Sequence, residues 1–325
     1  MTVDSKEVSV KKIFNIKSSM KAAVLENLDD DLKQLVPDID DDYCFDCETT
    51  EAIIAGFHYN KHVLIQGYHG TGKSTHIEQI AARLGWPCIR INLDGHISRI
   101  DLIGKDAIIL KEGKQITEFK EGLLPWSIQR PVALVLDEYD AGRPDVMFIL
   151  QRILESDGKF TLTDQNKVLS QHKFFRIFAT ANTIGLGDTD GIYHGTNPIN
   201  QGQLDRWNIV AQLNYLPNKQ EEEIILAKVP SLANKEGKEM VQSMVNFANM
   251  TRSGFKNGDL STVMSPRSVI IWAENYEIFN DLERALKLSF INKCEYSERS
   301  VVSEYYQRCF GEDLTDIQSS GMMVV

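Results

Sequence analysis

Short apolar runs separated by helix-period stretches fill the first two thirds of the chain, and helix-period stretches alone fill the rest. The runs are Val63-Leu64-Ile65, Cys88-Ile89-Arg90-Ile91-Asn92, Val132-Ala133-Leu134-Val135-Leu136, Phe174-Phe175-Arg176-Ile177-Phe178-Ala179 and Asn208-Ile209-Val210-Ala211-Gln212-Leu213. Rich in β-branched and aromatic residues and without strict alternation, they read as strands buried on both faces. Helices alternating with such strands predict an α/β fold, a parallel sheet covered on both sides. Thr49 through Phe57 suits a helix beside the first strand, and Gly85-Trp86-Pro87 ends the helix that follows it. From Pro217 onward, Glu221–Ala227, Met240–Met250, Pro266–Phe279 and Leu282–Cys294 each read as helix. The pattern divides the chain into an N-terminal segment (1–40), an α/β domain (41–215) and an all-α C-terminal domain (216–325).

Two stretches break the alternation. Asp106-Ala107-Ile108-Ile109-Leu110 and Ile116-Thr117-Glu118-Phe119, around a glycine-containing turn, predict an inserted β-hairpin. Gly185 through Gly202 is a long Gly- and Asn-rich loop without apolar periodicity, a kind that is often functional. The N-terminal segment reads as a leader with a short helix at Met20–Leu25. Its acidic runs, Asp29-Asp30-Asp31 and Asp40-Asp41-Asp42, read as solvated linker.

Composition narrows the picture. At 325 residues, 42% hydrophobic and 25% charged, the chain can bury a sizeable core in about two domains. A net charge of −11 without a basic stripe argues against a nucleic-acid partner. No run approaches a membrane span and the first residues lack a signal-peptide core, so a cytoplasmic protein with no membrane partner is expected. Five cysteines, an odd number, fit a reducing compartment. Cys44 and Cys47 form one C-x-x-C without a second pair at zinc-site spacing, and seven histidines show no metal-ligand cluster.

The strongest chemical signal joins the first strand to its helix. Gly67-Tyr68-His69-Gly70-Thr71-Gly72-Lys73-Ser74 fits G-x-x-x-x-G-K-[ST], with Thr75 following. Glycines let backbone N–H groups turn inward around a polyphosphate, and the helix presents its positive end to the same anion. Lys73 would reach the β- and γ-phosphates of ATP, and the Ser74 hydroxyl would complete the shell of Mg2+. The strand ending in Asp137-Glu138 supplies two acids: Asp137 to hold the Mg2+ shell, Glu138 to orient and polarise the attacking water. Asn182, at the tip of the next strand, would lie between the γ-phosphate and that water. Arg206 closes a short helix before the last strand. In Met264-Ser265-Pro266-Arg267, Ser265 resembles an N-cap and Pro266 suits the first helical position. Arg267 opposes the helix dipole there, which a nearby phosphate would explain.

In this order, Gly67–Ser74, Asp137-Glu138, Asn182, Arg206 and Arg267 resemble the AAA+ ATPases of the MoxR and chelatase branch. Longer segments, Gln66–Gln79, Asp137–Met147 and Leu260–Arg267, are similar to the small ATPase subunits of aerobic cobaltochelatases. The resemblance implies a three-layer αβα AAA+ domain and a homo-oligomeric ring, a hexamer, with ATP bound between neighbours. It implies that Arg206 is an arginine finger reaching the next subunit's γ-phosphate, that Arg267 is the lid's second sensor, and that the hairpin at 106–119 faces the ring pore or a partner. It also implies two partner subunits, one with an integrin-like metal-binding domain and one large and tetrapyrrole-binding. With them the ATPase would drive Co2+ into hydrogenobyrinic acid a,c-diamide during cobalamin synthesis.

The same motifs would serve a MoxR-like ATPase that remodels another protein complex. A scaffold that binds ATP without turnover would need neither Glu138 nor Arg206.

Overall fold

The computed structural model describes residues 3–94, 96–111, 114–155, 158–183 and 198–314. They form two compact units. The first gathers the described residues of 1–41, 45–68 and 72–213; the second gathers those of 42–44, 69–71 and 214–325.

The first unit opens with β1 (Asp4–Ser9), α1 (Val10–Phe14), β2 (Lys21–Glu26), α2 (Asp30–Lys33) and α3 (Cys47–Tyr59). Then come β3 (Val63–Gln66), α4 (Lys73–Arg83), β4 (Cys88–Asn92) and α5 (Arg99–Ile103). A hairpin, β5 (Gly104–Lys111) and β6 (Lys114–Glu121), precedes α6 (Leu123–Ile128) and β7 (Ala133–Asp137). The unit closes with α7 (Pro144–Ile153), β8 (Lys159–Leu162), β9 (Lys167–Ser170), β10 (Arg176–Ala181), α8 (Gln201–Leu204) and β11 (Ile209–Gln212).

Five strands pair in parallel in the order β11-β3-β10-β7-β4. Every residue of β3, β7 and β10 is buried, which explains their unbroken apolar runs. The edge strands β4 and β11 keep some exposed positions, Arg90 and Asn92 in one and Val210 in the other. Strand order matters for chemistry: the carboxyl ends of β3, β10 and β7 lie side by side, the position where open α/β sheets bind ligands.

The expected hairpin is present, with Ile109 opposite Ile116. Ile108 and Leu110 stand 72% and 76% exposed on it. The expected loop from Gly185 lies outside the described residues up to 197; its end carries Asn200, whose side chain accepts from Gly202 N to cap α8.

The N-terminal reading needs correction. Met20–Leu25 is not helical: Lys21–Glu26 is a strand, paired antiparallel with β1 from Ser9↔Lys21 to Asp4↔Glu26. Alanine, leucine and lysine favour a helix locally, but pairing and the bond from Leu25 N to Leu84 O override that propensity. Nor is the segment a solvated linker, since Val10, Phe14, Ile16, Leu25, Leu28 and Leu32 are buried in the same core as the sheet. The acids Asp30 and Asp31 remain exposed in the first turn of α2, where the helix dipole favours them. The small hairpin β8–β9 had no sequence expectation at all.

The second unit is helical: α9 (Asn218–Lys228), α10 (Lys235–Asn257), α11 (Pro266–Phe279), α12 (Leu282–Ser289) and α13 (Arg299–Phe310). Phe247, Trp272, Phe290 and Tyr306 fill its core, with Phe247 and Trp272 edge to face at 5.5 Å. The indole of Trp272 donates to Leu282 O at 3.0 Å, so its polar atom is satisfied.

Buried among these side chains is an ion pair. Arg252 donates to Glu221 at 2.8 and 2.6 Å and to Met264 O at 2.9 Å, fastening α9 and the approach to α11 onto α10. Glu221→Ala would leave the guanidinium desolvated and without its counter-charge. Urea unfolding of this variant, followed by amide exchange in α10, should show a loss of about 3–5 kcal/mol, whereas replacing both partners with apolar residues should cost far less.

Candidate functional site

The loop after β3 is shaped by glycines that no other residue replaces without strain. Gly67 has φ +155°, and a Cβ there would meet Leu213 O at 2.0 Å, because β11 runs alongside. Gly72, at φ 85°, is the N-cap of α4, and Gly70 has φ 74°. Within the second unit, the loop tip His69–Thr71 lies against the start of α11, where a Cβ on Gly70 would come within 2.4 Å of Ser265 Cβ.

Lys73 opens α4 and is buried. Its ammonium donates to Gly67 O at 2.7 Å, Tyr68 O at 2.9 Å and Asn182 Oδ1 at 2.8 Å. Burial pushes its pKa down to about 8 against the pull of Asp137, Asp140 and Glu138. A phosphate in the loop would supply the negative charge that this ammonium favours.

Asp137 ends β7 and is 6% exposed. Burial alone would raise its pKa, but hydroxyls from Ser74 and Thr180 and the guanidinium of Arg90 hold its carboxyl below the usual range. Thr180 reaches it because β10 flanks β7 on one side; Arg90 reaches it from β4 on the other. Glu138, half-buried, sits in the left-handed region at φ 55° and ψ 47°, a conformation that costs a non-glycine residue energy and clusters at functional sites. Its backbone N–H donates to Thr180 Oγ1 at 3.3 Å.

Asn182 follows β10 directly, one hydrogen bond from Lys73. Thus Lys73 and Ser74, adjacent at the start of α4, gather two residues distant in sequence, Asn182 and Asp137, into one cluster. Two predicted arginines lie outside it. Arg206, with its side chain 27% exposed, donates from Nε and Nη2 to Glu155 Oε1 at 3.0 and 2.7 Å and from Nη1 to Gly202 O at 2.5 Å. Gln151, with its amide oxygen turned toward the guanidinium, accepts at 2.9 and 3.1 Å. Arg267 is exposed in the first turn of α11, whose N-cap is Ser265, accepting from Ser268 N.

Sequence reasoning passed over Arg90, Thr180, Asp140 and Glu155. Thr180 had a signal, as a polar residue at a buried strand tip one step past the register Ala179↔Leu136. Arg90 looked like an ordinary exposed position of an edge strand. The thiols of Cys47, Cys88, Cys294 and Cys309 are free, and the described residues hold no cluster of three or more metal-ligating side chains.

Comparison with known proteins fits this geometry. The family model for the AAA domain, dynein-related subfamily, matches residues 62–225. The aerobic cobaltochelatase subunit CobS of Sinorhizobium sp is 58% identical over 309 residues, 95% of this chain and 92% of that one. An uncharacterized protein of Staphylococcus haemolyticus is 23% identical over 74% of this chain and 86% of its own length. Midasin of Dictyostelium discoideum matches half of this chain at 27% identity, which is 3% of its own length.

One titratable group ties the loop helix to the core. His76 is buried in α4 with Nε2 2.8 Å from Thr50 Oγ1, and burial drives its pKa down to about 4 despite Asp46 nearby. The folded state therefore keeps the ring neutral, and its stability is retained above the ordinary histidine pKa of about 6.5. As pH falls from there toward 4, about 3 kcal/mol should be lost progressively. Urea midpoints measured across that window should drop less steeply for His76→Gln than for the wild type.

Proposed function

This chain belongs to the AAA domain family, in its dynein-related subfamily, and is similar to the CobS subunit over nearly its whole length; on that footing we propose that it is the ATP-hydrolysing subunit of an aerobic cobaltochelatase. It would drive insertion of Co2+, the cargo, into hydrogenobyrinic acid a,c-diamide in cobalamin synthesis. The observation that carries this reading is 58% identity across 95% of the chain, over a phosphate-loop cluster that is complete.

In the mechanism, backbone N–H groups of Gly67–Thr75 and the start of α4 cradle the triphosphate, and Lys73 bridges its outer phosphates. Mg2+ suits the oxygen donors Ser74 and Asp137, which stand one hydrogen bond apart, and when bound it would neutralise charge on the phosphates. Glu138 orients the water that attacks the γ-phosphorus and takes up its proton. The bond to the bridging oxygen breaks, giving ADP and phosphate. Asn182 donates to the γ-phosphate. Arg206 of one copy stabilises the transferring group in its neighbour's site, and Arg267 reads the nucleotide from the helical unit. That division of labour calls for neighbouring copies, and the ring proposed for them is a homo-oligomeric hexamer. An integrin-like-domain subunit and a large tetrapyrrole-binding subunit complete the enzyme, in the cytoplasm. Among the described residues no helix is long and apolar enough to cross a membrane.

Two experiments test this reading. Reconstitution of the full chain with the two candidate partners should give corrinoid metallation, followed by absorbance, only with ATP; metallation that ignores this chain would overturn the assignment and leave the remodelling ATPase. Arg206→Ala should lower kcat by about 10³–10⁵. Mixing it with copies carrying Lys73→Ala should restore part of the activity, because some interfaces then join an intact loop to an intact arginine. No recovery on mixing would place Arg206 outside a shared site.

A further inference from the structure

Asp140 is the buried acid for which the mechanism has no use. It lies in the single 3-10 turn Tyr139–Ala141 that follows Glu138, and is 1% exposed. One carboxylate oxygen, Oδ2, accepts from Asn182 N at 3.0 Å, Thr183 N at 2.8 Å and Thr183 Oγ1 at 2.9 Å. The other, Oδ1, is buried without a partner among the described residues. A desolvated carboxylate is costly, and an unpaired oxygen adds to the cost, so a residue kept only to fill space here would be apolar. What the carboxylate does is seize two successive backbone N–H groups where β10 ends. That segment has left the sheet, so strand pairing no longer fixes it.

The consequence falls on Asn182. Its Oδ1 accepts from Lys73, which leaves the two hydrogens of its amide nitrogen as donors. Their direction is set by the backbone that Asp140 holds. The turn bearing Glu138 and the tip bearing Asn182 are thereby locked together, with Asp140 only two residues beyond Glu138.

We propose that Asp140 is a positioning residue for hydrolysis: it clamps the backbone of Asn182 and Thr183 so that the Asn182 amide meets the γ-phosphate in register with Glu138. The proposal rests on the reading of Asn182 as the γ-phosphate contact. It predicts that loss of the clamp impairs discrimination between ATP and ADP and the chemical step, rather than nucleotide binding in general. A displaced catalytic group costs on the order of 10²-fold in rate.

The test uses the full chain and four variants: Asp140→Ala, Asp140→Asn, Asn182→Ala and the double Asp140→Ala/Asn182→Ala. Asp140→Ala should lower kcat by about 10²-fold with KM little changed. In a Glu138→Gln background, which prevents turnover, it should cut the preference for ATP over ADP by about tenfold. Asp140→Asn, which keeps an oxygen for both amides, should restore most of the rate and the preference. The double variant should be no worse than Asn182→Ala alone. A kcat loss additive with Asn182→Ala, or an unchanged ATP-to-ADP preference, would reduce Asp140 to a structural role and overturn the proposal. Should Asp140→Ala not fold, Asp140→Ser carries the same comparison. If Asn182→Ala itself leaves rate and preference intact, the reading of Asn182 fails; if it impairs both while Asp140→Ala changes neither, the clamp alone fails.

Discussion

The structure depends on keeping one buried carboxylate ionised at the end of an apolar strand. Asp137 ends a strand whose every residue is buried, where desolvation works against its charge. Three elements offset that cost: the Ser74 hydroxyl from α4, the Thr180 hydroxyl from β10 and the Arg90 guanidinium from β4. Each arrives because of strand order. Only with β7 between β10 and β4 do a hydroxyl and a guanidinium close on it from opposite sides, and only a loop rising from β3 brings Ser74 over the top. A protonated Asp137 would lose its hold on a divalent cation, so the topology of the sheet and the chemistry proposed for the site are one constraint.

How much of this was legible in the sequence follows from the range over which each signal acts. The sheet strands and the helices of the second unit carry their burial pattern in consecutive residues, and β4 and α11 fall where periodicity puts them. The phosphate loop is legible from its local pattern, since Gly67, Gly70 and Gly72 all stand at positive φ within six residues, although Leu213 and Ser265 also crowd the first two. Strand β2 is the counterexample: its composition favours a helix, and only pairing with β1 and contact with Leu84 O make it a strand. Arg90, Asp140 and Glu155 failed to announce themselves for a related reason. Their partners are Asp137, Asn182 with Thr183, and Arg206, each tens of residues away. Period along a chain does not report lateral strand order, and so it does not report such pairs.

Backbone strain and buried polarity concentrate where chemistry is proposed. Glu138 is a left-handed residue that is not asparagine, unlike the five other non-glycine residues at positive φ among the described residues. Asparagine tolerates that region through local hydrogen bonding, whereas glutamate gains nothing comparable. Two residues on, Asp140 leaves an oxygen buried and without a partner among the described residues. Both costs fall within one short turn, and the fully buried strands β7 and β10 are what over-determine it.

The cis contacts of Arg206 bear on its proposed work in a neighbouring copy, and magnitudes decide how. Its pair with Glu155 joins side chains 27% and 36% exposed. Ion pairs so open to solvent contribute about 0–1 kcal/mol. An arginine at a transferring phosphoryl group contributes about 10³–10⁵ in rate, several times that energy. On the proposed reading, the Glu155 pair, with Gly202 O and Gln151, selects one rotamer of Arg206 that a triphosphate in a neighbouring copy would displace. Backbone contacts sharpen the choice, because His62 Nδ1 lies 3.2 Å from Arg206 O and the ring of Trp207 packs edge to face on Tyr139 at 5.2 Å. Tyr139 directly follows Glu138 and Trp207 directly follows Arg206, so the two residues are anchored on touching rings. Any shift of the turn at Glu138 must then displace the root of Arg206 or break that contact. On the proposed reading, a link of this kind would let the state of one site bias the arginine it lends to its neighbour.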